Sequence, residues 1–194
     1  YSIDGMLIDI GHISIKEKIL RLIELFSDNC ENTIVYCSSR AKAEEYAKYV
    51  SSNVNKILSI CNETDEMRYQ LFVQHVEKVF GNDWCVLKAL KARVGIHHGF
   101  VPKYIQKEMI YLFNHNVLST LFSTTTITEG VNTNAKNIII TSNKKGIKSL
   151  KQFDAKNIAG RAGRFLEHYV GRVIDLNNEF ENIVNSPQEI IEHK

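Results

Sequence analysis

Proline is nearly missing from this chain, with 2 in 194 residues, and glycine is held to 10. A collagenous or low-complexity protein needs far more of both, so neither class applies. Long apolar runs are missing too. None approaches the roughly 18–20 residues that a bilayer-spanning helix requires, which argues against an integral membrane protein. Cys30, Cys37, Cys61 and Cys85 form no Cys-x-x-Cys pair, so neither a disulfide framework nor a zinc site is expected. They read as reduced thiols packed as small apolar side chains, in an intracellular (cytoplasmic or nuclear) protein. The chain opens at Tyr1 with no initiator methionine and no signal-peptide pattern. The expectation is a piece cut from a longer protein.

What is present suits a folded domain. Hydrophobic residues make up 44%, too many for a disordered chain, and the length fits one domain or one with an extension. Basic and acidic residues nearly balance, 24 against 22, so only their placement is informative. Lys136 to Arg172 carries nine basic residues against Asp154 and Glu167, whereas Glu63 to Asp83 carries five acids against Arg68 and Lys78. The basic stretch suggests a polyanionic partner, with phosphate the leading candidate.

Short β-branched runs alternate with helical patterns. Ile15, Ile19, Leu22, Ile23 and Phe26 mark one helix face, and Ser38 and Ser39 can cap a second helix over 41–50. Helices are also expected over 65–80, stopped at Gly81, over 84–91, and after Pro102. Strands are expected at 33–37, 93–96, 117–122, 136–141 and 172–176, with a further short apolar run at 57–60. The tail from Asn177 reads as one or two helices. This order implies an α/β fold with a parallel sheet and helices on both faces. Ligands bind such sheets beyond the carboxyl ends of the strands, and every polar motif here follows a predicted strand.

Four motifs carry the chemistry. In Asn157-Ile-Ala-Gly-Arg-Ala-Gly-Arg164, Arg161 and Arg164 are expected on one face of a helix start, where two guanidiniums can converge on one phosphate. The alternative is a basic surface helix bent at its glycines. Phe122-Ser-Thr-Thr-Thr-Ile-Thr-Glu-Gly-Val-Asn132 runs from a strand into five hydroxyl side chains, suited to phosphate oxygens at a strand-to-helix junction. Tyr36-Cys-Ser-Ser-Arg40 and Gly95-Ile-His-His-Gly99 repeat the arrangement. Adjacent histidines chelate poorly, so no metal site is assigned.

In this order the four motifs resemble the second (C-terminal) RecA-like domain of superfamily 2 helicases, and most closely the superkiller-like DExH branch. TIVYCSSR is similar to motif IV of that branch, GIHHG to its HHAG turn, FSTTTITEGVN to motif V and NIAGRAGR to motif VI. The likeness runs from about Asn32 to Leu176. Asn134 stands where proline is usual, and Asn157 where motif VI usually opens with glutamine.

The resemblance implies a RecA-like domain over 1–176, with a helical insertion at about 64–91 and a C-terminal helical extension at 177–194. It implies that Arg161 and Arg164 are arginine fingers, that Gly130, Asn132 and Asn157 approach ATP, and that Ser38, Arg40, Gly99 and Thr124 grip the backbone of single-stranded DNA or RNA. No GxxxxGK[ST] loop and no DExH box occurs. ATP and Mg2+ are therefore expected to be held mainly by an upstream RecA-like domain of the same protein, and this stretch alone is expected to be inactive. A monomer translocating 3′ to 5′ is the family expectation. The competing reading is an inactive RecA-like module that binds nucleic acid or acts as a scaffold.

Overall fold

The structure, a computed structural model, describes residues 2–3, 6–7, 11–54, 61–128, 133, 135–162 and 171–186. It opens with a short antiparallel pair, β1 (Ser2–Ile3) and β2 (Met6–Leu7). Helix α1 (Ile15–Asp28) begins where the Ser14 hydroxyl accepts the Glu17 N–H at 3.3 Å, satisfying one of the orphan donors of its first turn. Its apolar face, Ile19, Leu22, Ile23 and Phe26, is fully buried. Strand β3 (Thr33–Tyr36) leads to α2 (Arg40–Asn53), whose cap is Ser39, accepting the Lys42 N–H.

Two helices then intervene before the next strand. The first, α3 (Glu63–Phe80), starts at Asn62, which accepts the Asp65 N–H at 2.8 Å, and stops at Gly81. Gly81 sits at φ 77°, a left-handed conformation that glycine adopts without the Cβ clash. The second, α4 (Cys85–Lys91), packs on α2 and α3. The run expected at 57–60 lies outside the described residues.

Strand β4 (Val94–His97), helix α5 (Lys103–Asn114) and strand β5 (Thr120–Ser123) follow. The strand expected from 117 begins at Thr120, because Val117 and Leu118 close α5 instead. Both of their N–H groups donate to the Leu112 carbonyl, after Asn116 reverses the chain at φ 57°. A single 3-10 turn (Thr125–Thr128) ends this stretch. Next come β6 (Asn137–Ile140), a hairpin of β7 (Lys144–Lys145) and β8 (Lys148–Ser149), α6 (Gln152–Ala159), β9 (Arg172–Asp175) and α7 (Phe180–Val184). The hairpin has no alternating apolar pattern and was not expected. Of the helical tail, α7 is described, and the expectation beyond 186 lies outside the described residues.

The main sheet has five parallel strands in the order β4-β5-β3-β6-β9. Every residue of β3, β4, β5 and β6 is buried, so both faces are covered, as expected for a parallel sheet. Ile34, Tyr36, Ile96, Phe113 and Phe122 are among the largest fully buried side chains. Each contributes about 1.5–3 kcal/mol of transfer free energy. Among the described residues no helix is long and apolar enough to cross a membrane.

Candidate functional site

Three adjacent strands, β4, β5 and β3, end side by side, and each delivers one polar turn to the same edge of the sheet. Gly99 follows β4, Thr124 follows β5, and Ser38 and Arg40 follow β3. Sequence spacing alone could not bring them together. Parallel register does, pairing Tyr36 with Ser123 and His97 with Ser123 on its other side.

The turns are held by hydrogen bonds between strands. The His97 carbonyl oxygen accepts from the Thr124 N–H at 3.4 Å, the Ser123 hydroxyl at 3.0 Å and the Thr126 hydroxyl at 3.3 Å. With its proton given to that carbonyl, Thr126 Oγ1 accepts from His97 Nδ1–H at 3.1 Å. The Thr124 hydroxyl completes the chain, 3.2 Å from that of Thr126. Of the five hydroxyls expected to face phosphate, those of Ser123 and Thr126 are therefore used by the fold itself. His97 is 2% exposed, and burial lowers its imidazole pKa to about 4. It is a neutral structural donor at physiological pH.

His98 faces elsewhere. Its Nδ1 accepts the Phe100 N–H at 3.3 Å, so Nε2 carries the proton and donates to Glu44 Oε1 at 3.0 Å. Burial lowers its pKa, opposed by the Glu44 carboxylate. The Gln106 amide fixes the turn by donating to the His98 and Val101 carbonyls at 3.0 and 2.6 Å. The two histidines thus engage different partners, and among the described residues no group of three His, Cys, Asp or Glu side chains could hold a metal. Glu44 and Gln106 were not singled out from sequence. Only a glutamine on the apolar face of α5, 4% exposed, offered a signal.

Gly99 is exposed, and a Cβ built on it meets nothing within 4 Å. The fold does not require glycine there, so the bare backbone is left open to close approach. Ser38 is half-buried and its carbonyl accepts the Gly146 N–H of the hairpin at 2.6 Å. The Tyr36 hydroxyl adds a second tie by donating to the Lys144 carbonyl at 2.8 Å. These ties hold the exposed Lys144, Lys145 and Lys148 beside the Ser38 turn. Arg172, counted with the basic stretch, belongs elsewhere: it is half-buried and paired with Glu31 at 2.5 Å.

The arginine segment needs one correction. Arg161 does not open a helix. It lies just past the end of α6, its N–H donating to the Ile158 carbonyl at 3.0 Å after Gly160 closes the helix. A cation at that end is favoured by the helix dipole. Ala162 then forms a parallel bridge with Ala135, and α6 packs against the 3-10 turn. The second and first sequence motifs are thereby joined in space. Asn157 is half-buried on α6. Gly130, Asn132 and Arg164 lie outside the described residues.

This all-parallel sheet, with its polar turns at one edge and the helix before the arginine segment packed on the turn after β5, is the architecture of a RecA-like domain. Residues 50–166, more than half of the chain, match the family described as helicase conserved C-terminal domain, and the chain belongs to that family. A similar protein is anti-bacteriophage protein B of Escherichia coli K12, 33% identical over 90% of this chain. Antiviral helicase SKI2 of Saccharomyces cerevisiae is 25% identical over 68%, and human exosome RNA helicase MTR4 26% identical over 76%. These likenesses place the chain near the DExH helicases of superfamily 2. It spans 23%, 11% and 14% of those three relatives.

Helicases of this family use ATP with magnesium. Close in sequence to the two bridge residues stand Arg161, Asn157 and Thr133, whose hydroxyl is buried with no partner for its Oγ1. Cationic and neutral donors fit phosphate oxygens. They do not form a magnesium site.

Proposed function

We propose that this chain is the second motor domain of an ATP-dependent nucleic-acid helicase or translocase, spanning residues 1–176 with an insertion at 64–91 and an extension at 177–194. The observation that carries this reading is the packing of α6 against the 3-10 turn (Thr125–Thr128), which ties the helix leading into Arg161 to the turn after β5, on the edge where Ser38, Arg40, Gly99 and Thr124 converge. A nucleotide-facing segment and a strand-facing edge so linked can exchange displacement.

Bound ATP, held with Mg2+ mainly by an upstream RecA-like domain, supplies the phosphoryl group whose transfer to water drives the cycle. Arg161 and Arg164 stabilise the negative charge that builds on the transferring group, a role worth about 10³–10⁵ in rate. Gly130, Asn132 and Asn157 approach the nucleotide and report its state to the turn after β5. Ser38, Arg40, Gly99 and Thr124 hold the sugar–phosphate backbone of single-stranded DNA or RNA, which fixes register without reading sequence. Domain closure and reopening convert alternating grip into steps. The name of the Escherichia coli relative leads us to propose foreign nucleic acid as the full-length protein's target.

The test is ATP hydrolysis by the full-length protein with and without single-stranded DNA and RNA, beside Arg164→Ala. Stimulation by one polymer, lost in the variant while ATP still binds, is expected and names the substrate. Hydrolysis that is never stimulated, or that ignores Arg164, leaves the scaffold reading in its place.

A further inference from the structure

Phe100 is 79% exposed, immediately after Gly99 on the carboxyl edge of the sheet. The fold has no evident use for the ring. Val101 beside it, 2% exposed, is the apolar anchor of the turn, and Gln106 supplies the polar ties. Nor does the ring stand alone. The Arg40 guanidinium lies 4.4 Å from its centroid, at cation–π distance. Arg40 lies 3.9 Å from Glu44, Glu44 accepts from His98 at 3.0 Å, and His98 accepts the Phe100 N–H at 3.3 Å. Two residues at the start of α2 and two from the turn after β4 therefore close a loop that fixes the ring and its cation together. The one carboxylate in that loop is engaged by both Arg40 and His98, which offsets its repulsion of a phosphate. With one face of the ring against the guanidinium, such exposure requires the opposite face to be open.

We propose that Phe100, backed by Arg40, is a stacking platform for one base of a single-stranded nucleic acid. This rests on the nucleic-acid reading above and extends it from the backbone to the base. Every base has a π-face, so stacking adds affinity without adding sequence preference. The guanidinium beside the ring attracts the neighbouring phosphate. Gly99, lacking a side chain, lets the strand come close enough for its base to reach the ring.

The test compares binding of a fluorescent oligothymidylate, and of the same strand made wholly abasic, by the full-length protein and by Phe100→Leu and Phe100→Tyr. Phe100→Leu is expected to weaken binding of the intact strand about 5- to 100-fold, and Phe100→Tyr to retain it. The wild type should show a comparable loss on the abasic strand, with no further loss in Phe100→Leu. Unchanged binding by Phe100→Leu overturns the platform, as does an equal loss on both strands. A wild type that binds no strand overturns the motor reading, and the platform with it. The urea midpoint of Phe100→Leu should match the wild type, since the ring is exposed.

Discussion

The two ends of the same five strands treat polar residues differently. At the amino ends the side chains of Glu31, Asn137 and Arg172 satisfy one another, and Asn32 is engaged by the backbone. Arg172 donates to Glu31 at 2.5 Å and to Asn137 Oδ1 at 3.0 Å, Asn137 donates to Glu31 at 3.2 Å, and Asn32 accepts the Lys136 N–H at 2.9 Å. This closed network fastens edge strand β9 to β6. At the carboxyl ends His97, His98, Ser123 and Thr126 are likewise used by the fold, yet Arg40, Gly99 and Phe100 remain exposed. The amino ends spend their polar groups on stability. The carboxyl ends carry more chemistry than stability needs.

Matched substitutions sharpen that contrast. The largest effect is expected at Arg161: Arg161→Ala should lower polymer-stimulated hydrolysis about 10³–10⁵-fold, with the unfolding midpoint nearly unchanged. Arg172→Ala should do the reverse. It strands the half-buried Glu31 carboxylate and the fully buried Asn137 oxygen, and a cost of about 2–4 kcal/mol is expected in urea unfolding. Hydrolysis per folded molecule should stay at the wild-type value.

His97 adds a pH dependence. The unfolded chain takes up a proton near the ordinary value of 6.5, the folded chain only near about 4. Its share of stability is therefore complete above the unfolded pKa and lost as pH falls through that window. The loss should total about 3 kcal/mol. In His97→Asn, which keeps an amide near the Nδ1 position, unfolding followed from pH 7 to pH 4 should lack that part of the slope. The smallest effect on stability belongs to Gly99→Ala, expected within about 0.5 kcal/mol of wild type because the added methyl meets nothing. Strand affinity should still drop severalfold in the same variant. A large stability loss there would break the contrast between the two ends.

Much of the fold was legible in the sequence for local reasons. Uninterrupted apolar runs such as Ile34-Val35-Tyr36 and Ile138-Ile139-Ile140 read as buried strands, and Ser39 and Gly81 mark helix ends by their own chemistry. What escaped depends on distance or on backbone state. Glu31 and Arg172 meet across 141 positions, which no periodicity encodes. Gly160 keeps a right-handed helical conformation, so nothing in the sequence distinguishes a helix opening at Arg161 from one ending before it. The hairpin at 144–149 is lysine, glycine, serine and one exposed isoleucine, without a buried face to announce it. The four motifs were visible because their residue types are unusual after a strand. The ring of Phe100 was not, because an aromatic residue reads as core until its exposure is measured.

The Tyr36 hydroxyl has a mechanical consequence. Burial pushes its pKa well above the ordinary phenol value, so the proton it donates to Lys144 is present at every physiological pH. With the Gly146–Ser38 bond it gives the hairpin two attachment points, one on the central strand and one on the turn after it. A load on the exposed tip at Ile147 would be delivered into the middle of the sheet rather than to its rim.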